Sequence, residues 1–302
     1  MYMNNPPQIS IGLPILNGEP FVKKRLENIL NQSYSNFELI ISNNASTDST
    51  LSICKEYAKT DPRIKIFNQV KTIIAEKNFE FVVQKAESKY FVFAPVDDLW
   101  DESFLEKNFN FLEKNPNYIN SSATVKRYGV DEIDTTIKKE DPFFHKIYKK
   151  FRGSFRPFYN LSFTGNYEKK ASECFNHNNM LFLFGLFRTE IVKKIPIDYT
   201  IHSSDLIMCL RALEYGDVNV IDDVHLYFYV KGFSSQGIIK KYKTNENSLL
   251  EVFFPFLPLT IWCKNHFGIK FLFKNLKHVI WLNTIFGFTP LLLDLYKILK
   301  KK

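Results

Sequence analysis

Apolar positions along the first 114 residues switch repeatedly between two periods. Residues 8–14, QISIGLP, alternate as a strand does. Residues 21–32, FVKKRLENILNQ, place apolar side chains at helical spacing, and 37–42, FELIIS, form a short apolar run. The pairing recurs as a helix over 49–59, a strand at 64–67, a helix near 78–87, a strand at 90–95 and a helix over 103–114. Strands alternating with helices predict an α/β fold, a mainly parallel central sheet with helices on both faces. Such sheets hold ligands at the carboxyl ends of their strands. Three polar features fall there: PILN after the first strand, SNNASTDS after the second and VDDLW after the fourth.

Residues 130–180 break the rhythm. Acids are followed by FFHKIYKKFRGSFRPFYN at 143–160, which interleaves aromatic and basic residues, and the stretch reads as a long irregular insertion. A second structured part begins with FLFGLFR at 182–188 and a short helix to Lys194. In HSSDLIMCLRALEYG, Ser203 or Ser204 can cap a helix that Gly216 ends, and strands at 218–221 and 224–230 follow. From Ser248 the chain carries two uncharged runs, VFFPFLPLTIWC and VIWLNTIFGFTPLLL. Both are shorter than the roughly 18–20 residues a membrane span needs, and Pro255, Pro258 and Pro290 interrupt them, so they predict interfacial helices.

Composition sharpens this picture at a few points. Thirty Phe and 15 Tyr against 11 Gly exclude a disordered or repetitive chain. Cys54, Cys174, Cys209 and Cys263 are scattered without CxxC spacing, which speaks against a zinc site or a disulfide framework and for a reducing, cytoplasmic setting. The N-terminus has no basic segment leading into an apolar one, so no secretory signal is expected, and the sequon at Asn120 reads as chance. Residues 1–225 hold 28 Lys/Arg against 29 Asp/Glu, whereas 226–302 hold 12 against 3, so the net charge of +8 belongs to the tail. A basic, apolar tail suits a peripheral helix on an anionic membrane surface, with Trp262 and Trp281 at the interface and KILKKK on lipid phosphates. The alternative is packing on the rest of the chain or on a second subunit. Nucleic acid is not an expected partner, because the first 225 residues are slightly acidic and carry no recognition motif.

Candidate chemistry gathers at the strand ends. Asp97 and Asp98 are adjacent carboxylates after an apolar strand, and burying them unpaired is costly unless a cation compensates. Mg²⁺ or Mn²⁺ takes oxygen ligands and typically one or two protein carboxylates, leaving positions for substrate phosphates. The same acids could simply start a helix. SNNASTDST can hydrogen-bond a base or ribose, or cap the next helix through Thr47, Asp48 or Ser49. Asp205 in the first turn of its helix suits the helix dipole, or a general base that deprotonates an acceptor hydroxyl.

Together these residues resemble a family 2 glycosyltransferase with the GT-A fold. The resemblance runs through ISIGLPILNGEPFVKKRLENILNQSYSNFELIISNNASTDST, KNFEFVVQKAESKYFVFAPVDDLW, ECFNHNNMLFLFGLFRTEIVKKIP and HSSDLIMCLRALEYGDVNVID, about residues 8–235. It implies a catalytic domain over 1–235, with a nucleotide-binding half to about 125 and an acceptor-side half beyond, followed by a basic helical region over 236–302. It further implies nucleoside contacts at Pro14, Leu16, Asn17 and Asn44, a metal ligand at Asp98, ribose or metal-shell contact at Asp97, Lys77 near the base or diphosphate, and Asp205 as catalytic base. The implied reaction is inverting transfer from a nucleotide sugar, a UDP-sugar first, to a glycan or lipid-linked acceptor with Mg²⁺ or Mn²⁺. The setting it suits is the inner face of the cell membrane. Pro95 replaces the first acid of a fuller D-x-D-D, and Asn43-Asn44 stand where many relatives have an acid, so the base stays open. No His accompanies Lys231 and Gly232 after the last strand; Lys231 or the 231–237 loop could serve the diphosphate instead. His145 and His177 have no nucleophile elbow to serve, and GLPILNGEP is not the glycine-rich loop of a nucleotidyltransferase. A catalytically inactive donor-binding or scaffold protein of the same fold remains the alternative.

Overall fold

The computed structural model describes residues 6–129, 143, 146, 161–177, 180–197, 203–229 and 254–286. The sequence-predicted alternation takes the form β1 (Ile9–Ile15), α1 (Glu19–Leu30), β2 (Phe37–Asn43), α2 (Thr50–Thr60), β3 (Ile64–Asn68), α3 (Ala75–Lys85), β4 (Tyr90–Phe93), β5 (Leu99–Trp100) and α4 (Phe104–Lys114). Then follow β6 (Tyr118–Tyr128), α5 (Tyr167–His177), a 3₁₀ turn (Leu181–Phe184), β7 (Leu186–Arg188), α6 (Thr189–Val192), α7 (Ser204–Ala212) and β8 (Asp217–Tyr229). Three α-helices follow, α8 (Leu257–Phe267), α9 (Ile269–Lys274) and α10 (Leu276–Trp281), and a π-helical turn (Leu282–Phe286) closes the described chain.

The strands form one sheet in the order β3-β2-β1-β4-β7-β6-β8-β5. β1 pairs in parallel with β2 and β4, with Ile11 opposite Leu39 and Val92, and both β1 and β2 are buried along their whole length. That burial on two faces explains their nearly unbroken apolar runs. β7 lies antiparallel to β4 and β6, β8 runs parallel to β6, and β5 is antiparallel to β8. The sheet is thus mixed, with two short antiparallel strands inserted in a mainly parallel array. Helices α1, α2 and α4 cover one face around Val22, Leu26, Ile41, Trp100 and Phe104; α3, α5 and α7 cover the other around Val82, Phe91, Phe175 and Leu206.

This topology sends many chain ends to one edge. β1, β2, β3 and β4 end there, as do β6 at Tyr128 and β8 at Tyr229, and β7 starts there. Helix α7 leads by way of 213–216 into the start of β8, where Asp217 pairs with Tyr118, the first residue of β6, and Asp205 lies in the first turn of α7, at the end remote from that start.

Several expectations need correction. α5 and the turn at 161–166 occupy part of the segment read as irregular, and the two strands expected at 218–230 are one strand, β8, with a register irregularity beside Ala123 and Thr124. Ser203 holds the N-cap position of α7 in a left-handed conformation (φ 70°) without a hydroxyl cap bond. Gly216 lies four residues beyond the helix end, where a Cβ would come within 2.8 Å of the Asn117 carbonyl oxygen. Asn120 of the sequon is fully buried and donates to the Phe182 carbonyl at 3.0 Å. The four cysteines are free and buried. Most of 143–160, His145, the 231–237 loop with Lys231, and KILKKK lie outside the described residues. No described helix is long and apolar enough to cross a membrane.

Candidate donor site at the sheet edge

The segment after β1 is built to turn sharply. Pro14 lies two residues past Gly12, where the β1–β4 ladder ends, and by strand alternation its missing N–H would have faced that vacant side. Pro14 is buried, Leu16 half-buried and Asn17 exposed in the left-handed region (φ 49°). Asn17 donates its backbone N–H to Ser46 Oγ at 2.9 Å, and its Oδ1 accepts from the Thr47 N–H at 2.9 Å. Asp48 accepts from the N–H groups of Glu19 (3.1 Å) and Thr50 (3.0 Å), so one carboxylate caps the first turns of α1 and α2 together. Hydrogen bonds from the Thr50 hydroxyl and these N–H groups, outweighing its desolvation, hold the Asp48 carboxyl below its ordinary range. Much of SNNASTDST is therefore spent on joining the β1 and β2 ends.

Asn44 is buried, and its side chain makes a reciprocal pair with the Ile73 backbone, donating to the carbonyl and accepting from the N–H, both at 2.8 Å. Its role is to hold the 69–74 loop, which leaves its amide committed to protein. Asn78 binds β2 in the same manner: its Oδ1 accepts from Ser42 Oγ at 2.6 Å, and its Nδ2 donates to the Ser42 carbonyl at 3.2 Å. That anchor fixes the first turn of α3 and with it the exposed neighbour Lys77.

Beyond β4, Asp98 is 2% exposed, and its Oδ1 accepts the Tyr229 N–H at 3.0 Å. The Tyr128 hydroxyl donates to the Asp97 carbonyl oxygen. Gly129 is required beside it, since its φ is 87° and a Cβ would lie 2.3 Å from the Tyr229 ring. Burial, then the Asp97 charge, pushes the Asp98 carboxyl up to about 7, while the Tyr229 N–H and Arg25 work in the opposite sense. Burial also raises Asp97. The Tyr128 hydroxyl is driven to about 12, first by burial and then by the two acids.

Arg25 is the charge that sequence reading missed. It is fully buried, lies 4.0 Å over the Trp100 ring and donates from Nη1 to Asn28 Oδ1 at 2.9 Å. Its Nε and Nη2 have no hydrogen-bond partner among the described residues. Burial lowers its pKa to about 10, opposed most by Asp98. Asn28 also exchanges hydrogen bonds with the Trp100 backbone, donating to its carbonyl at 2.8 Å and accepting its N–H at 3.0 Å. Arg25 and Asn28 thus brace the segment immediately after the acidic pair from beneath. A signal was present: Arg25 shares the buried face of α1 with Val22, Leu26 and Ile29.

Asp205 accepts the Leu206 N–H at 2.9 Å, within the first turn of α7. Pro14, Leu16, Asn17, Asn44, Asp97 and Asp98 thus follow the carboxyl ends of β1, β2 and β4, while Lys77 stands in the first turn of α3 and Asp205 in the first turn of α7.

A divalent cation suits the acidic corner on its chemistry: two hard carboxylates, one nearly fully buried, repel one another and lack a salt bridge to Arg25 among the described residues. No group of three or more His, Cys, Asp or Glu gathers among the described residues, so such an ion would depend on Asp98, Asp97 and donor oxygens.

A family model described as glycosyl transferase family 2 matches residues 10–194. The chain is 30% identical over 105 residues to a putative teichuronic acid biosynthesis glycosyltransferase, TuaG of Bacillus subtilis, across 35% of this chain and 42% of that protein. The matched segments span less than half the length of the curated relatives that share them. TarS of S. aureus (residues 1–349) superposes with a TM-score of 0.57 at 16% identity, over 74% of this chain and 60% of that one; the same protein is also solved with UDP and with UDP-GlcNAc. The mannosyltransferase PcManGT from Pyrobaculum calidifontis, solved with GDP-Man and Mn²⁺, gives a TM-score of 0.54 at 15% identity, over 99% of this chain and 82% of that one. The architecture is the GT-A fold expected from the sequence.

Proposed function

The chain belongs to glycosyl transferase family 2, and we propose that it moves a sugar from a nucleotide-sugar donor to an acceptor hydroxyl with inversion at the anomeric carbon. What supports this reading is the acidic pair beyond β4, with Asp98 almost fully buried, together with a carboxylate in the first turn of α7, Asp205. Asp205 takes the acceptor hydroxyl proton as the acceptor oxygen bonds to the anomeric carbon. The bond from that carbon to the diphosphate oxygen breaks, and its electron pair leaves with the nucleoside diphosphate. Mg²⁺ or Mn²⁺, when held by Asp98 with Asp97 beside it, supplies neutralisation of charge on the leaving group. Pro14 and Leu16 line the nucleoside, Asn17 and Asn44 hold the two loops around it, and Lys77 serves the diphosphate.

A UDP-sugar is the first donor we propose, in keeping with the UDP and UDP-GlcNAc complexes of TarS, while the GDP-Man complex of PcManGT keeps the base open. The acceptor we propose is a glycan or lipid-linked saccharide of cell-surface polysaccharide assembly, the class to which the name of TuaG points. The setting is the inner face of the membrane, where the basic C-terminal region attaches peripherally.

Asp205→Asn tests the catalytic assignment. It is expected to lower kcat by about 10²–10⁴-fold while nucleotide-sugar affinity stays near wild type. Turnover close to wild type would remove Asp205 from the reaction. A donor-binding scaffold, the second reading, would bind nucleotide sugar in wild type and transfer none to any acceptor supplied.

A further inference from the structure

The C-terminal helices α9 and α10 carry apolar residues on two opposite sides, and among the described residues only one side is buried. Helical hydrogen bonds continue across the junction of α9 and α10: Asn275 donates to the Phe271 carbonyl at 3.1 Å, and His278 and Val279 donate to the Asn275 carbonyl at 3.0 and 3.1 Å. Along this nearly continuous rod Phe271, Asn275, His278 and Leu282 are buried, at steps of four, three and four. They pack on α5, with Phe175 ring centroids 5.7 Å from Phe271 and 4.9 Å from His278, and Ser172 donating to Asn275 Oδ1 at 2.7 Å. Ile269, Phe273, Leu276 and Ile280 repeat the same steps two residues out of phase, about 200° around the helix. These four side chains are between 44% and 67% exposed.

Of the ten large apolar side chains exposed among the described residues, six lie in this region, Phe254 and Ile261 being the others. The exposure is therefore concentrated rather than scattered, which marks a surface for interaction. The helices that carry it hold charge of one sign, and a single acid of the neighbouring α5, Glu168, reaches it at 3.8 Å from Lys274, an exposed pair that an anionic surface can replace. Lys270, Lys274 and Lys277 each follow a stripe residue by one position, which puts them on one flank, and residues 252–293 contain no Asp or Glu. A second copy of the chain packed stripe to stripe would oppose lysine to lysine. An anionic lipid leaflet accepts both features, the apolar stripe in its acyl boundary and the ammonium groups at its phosphates.

We infer that α9 and α10 lie in the plane of an anionic bilayer, with Ile269, Phe273, Leu276 and Ile280 inserted and Lys270, Lys274 and Lys277 on lipid phosphates. This surface gives the peripheral attachment of the proposed function a named face, and it rests on that reading only for the acceptor's presence at the membrane. Vesicle binding is measured without donor or acceptor, so it can succeed or fail independently of sugar transfer.

The test is flotation of the full chain with vesicles of phosphatidylcholine alone or with 30% phosphatidylglycerol, an on-purpose choice of anionic lipid. Wild type is expected to partition at least about ten-fold more strongly onto the anionic vesicles and to be released by high salt. Phe273→Ser with Ile280→Ser is expected to reduce that partition by about ten-fold or more with an unchanged melting temperature, since both side chains are already exposed. Replacing Lys270, Lys274 and Lys277 by Gln is expected to remove the preference for anionic lipid. Serine variants that float as wild type does would overturn the inference, as would equal binding to both vesicle types. A dimer in light scattering that the serine variants dissolve would assign the stripe to a second copy instead.

Discussion

Arg25 and Asp98 carry opposite charges into one dry corner, and each is held by neutral or weak partners: Trp100 and Asn28 for the cation, the Tyr229 N–H for the acid. The rise of Asp98 from 3.8 to about 7 opposes ionisation by about 4 kcal/mol. Its folded pKa lies above the unfolded one, so the folded protein binds the extra proton between about 4 and 7, and stability is lost as pH climbs through that window. His278, which burial lowers to about 4, works in the reverse sense, losing stability as pH falls below 6.5. The two slopes offset in wild type, so the useful quantity is the stability gap to Asp98→Asn. In metal-free protein that variant is expected to gain up to about 3 kcal/mol on wild type between pH 5 and pH 8, measured by urea unfolding; a gap independent of pH would refute the burial argument. Arg25→Met removes a fixed positive charge from the neighbourhood of the ion. It is expected to bind Mn²⁺ several-fold more tightly at pH 8.5 in a titration, and unchanged affinity would reduce Arg25 to packing. At this scale the acidic pair was legible because adjacent carboxylates closing an apolar strand have few structural uses. The commitment of Asn44 was hidden, because its partner is the backbone of Ile73, which only the fold brings near.

Among elements, those with clean periodicity were readable and those that bury polar groups were not. β6 reads YINSSATVKRY, and its interior is Asn120, Ser121 and Ser122. Their partners are remote: the Phe182 carbonyl for Asn120, Asn108 for Ser121. α5 likewise buries Lys170, which donates to the Gly216 carbonyl at 2.6 Å and pairs with Asp217 at 3.0 Å, so no apolar stripe announced it. β5 has two residues and exists through its pairing with β8, beyond the reach of any periodicity argument. Asp48 is the clearest case of an element-level role, since it caps α1 and α2 at once. Asp48→Ala is expected to cost about 1–2 kcal/mol, seen as a lowered melting temperature, and to loosen donor binding because Asn17 and Thr47 share the same turn. Full stability in that variant would show that water replaces the double cap without loss.

For the whole molecule, one mixed sheet sends the ends of β1, β2, β4, β6 and β8 to a single edge. The alternating pattern implied that edge, and the resemblance supplied the candidate residues; the antiparallel insertion of β7 between β4 and β6 could be seen only in three dimensions. The measurement that bears most directly on the account is binding of a panel of nucleotide sugars by calorimetry, with and without Mn²⁺, to wild type, Asp98→Asn and Asp205→Asn. One nucleotide sugar is expected to bind wild type and Asp205→Asn alike, with Mn²⁺ strengthening both, and to bind Asp98→Asn at least about ten-fold more weakly. A wild-type protein that binds no nucleotide sugar, with or without the metal, would contradict it.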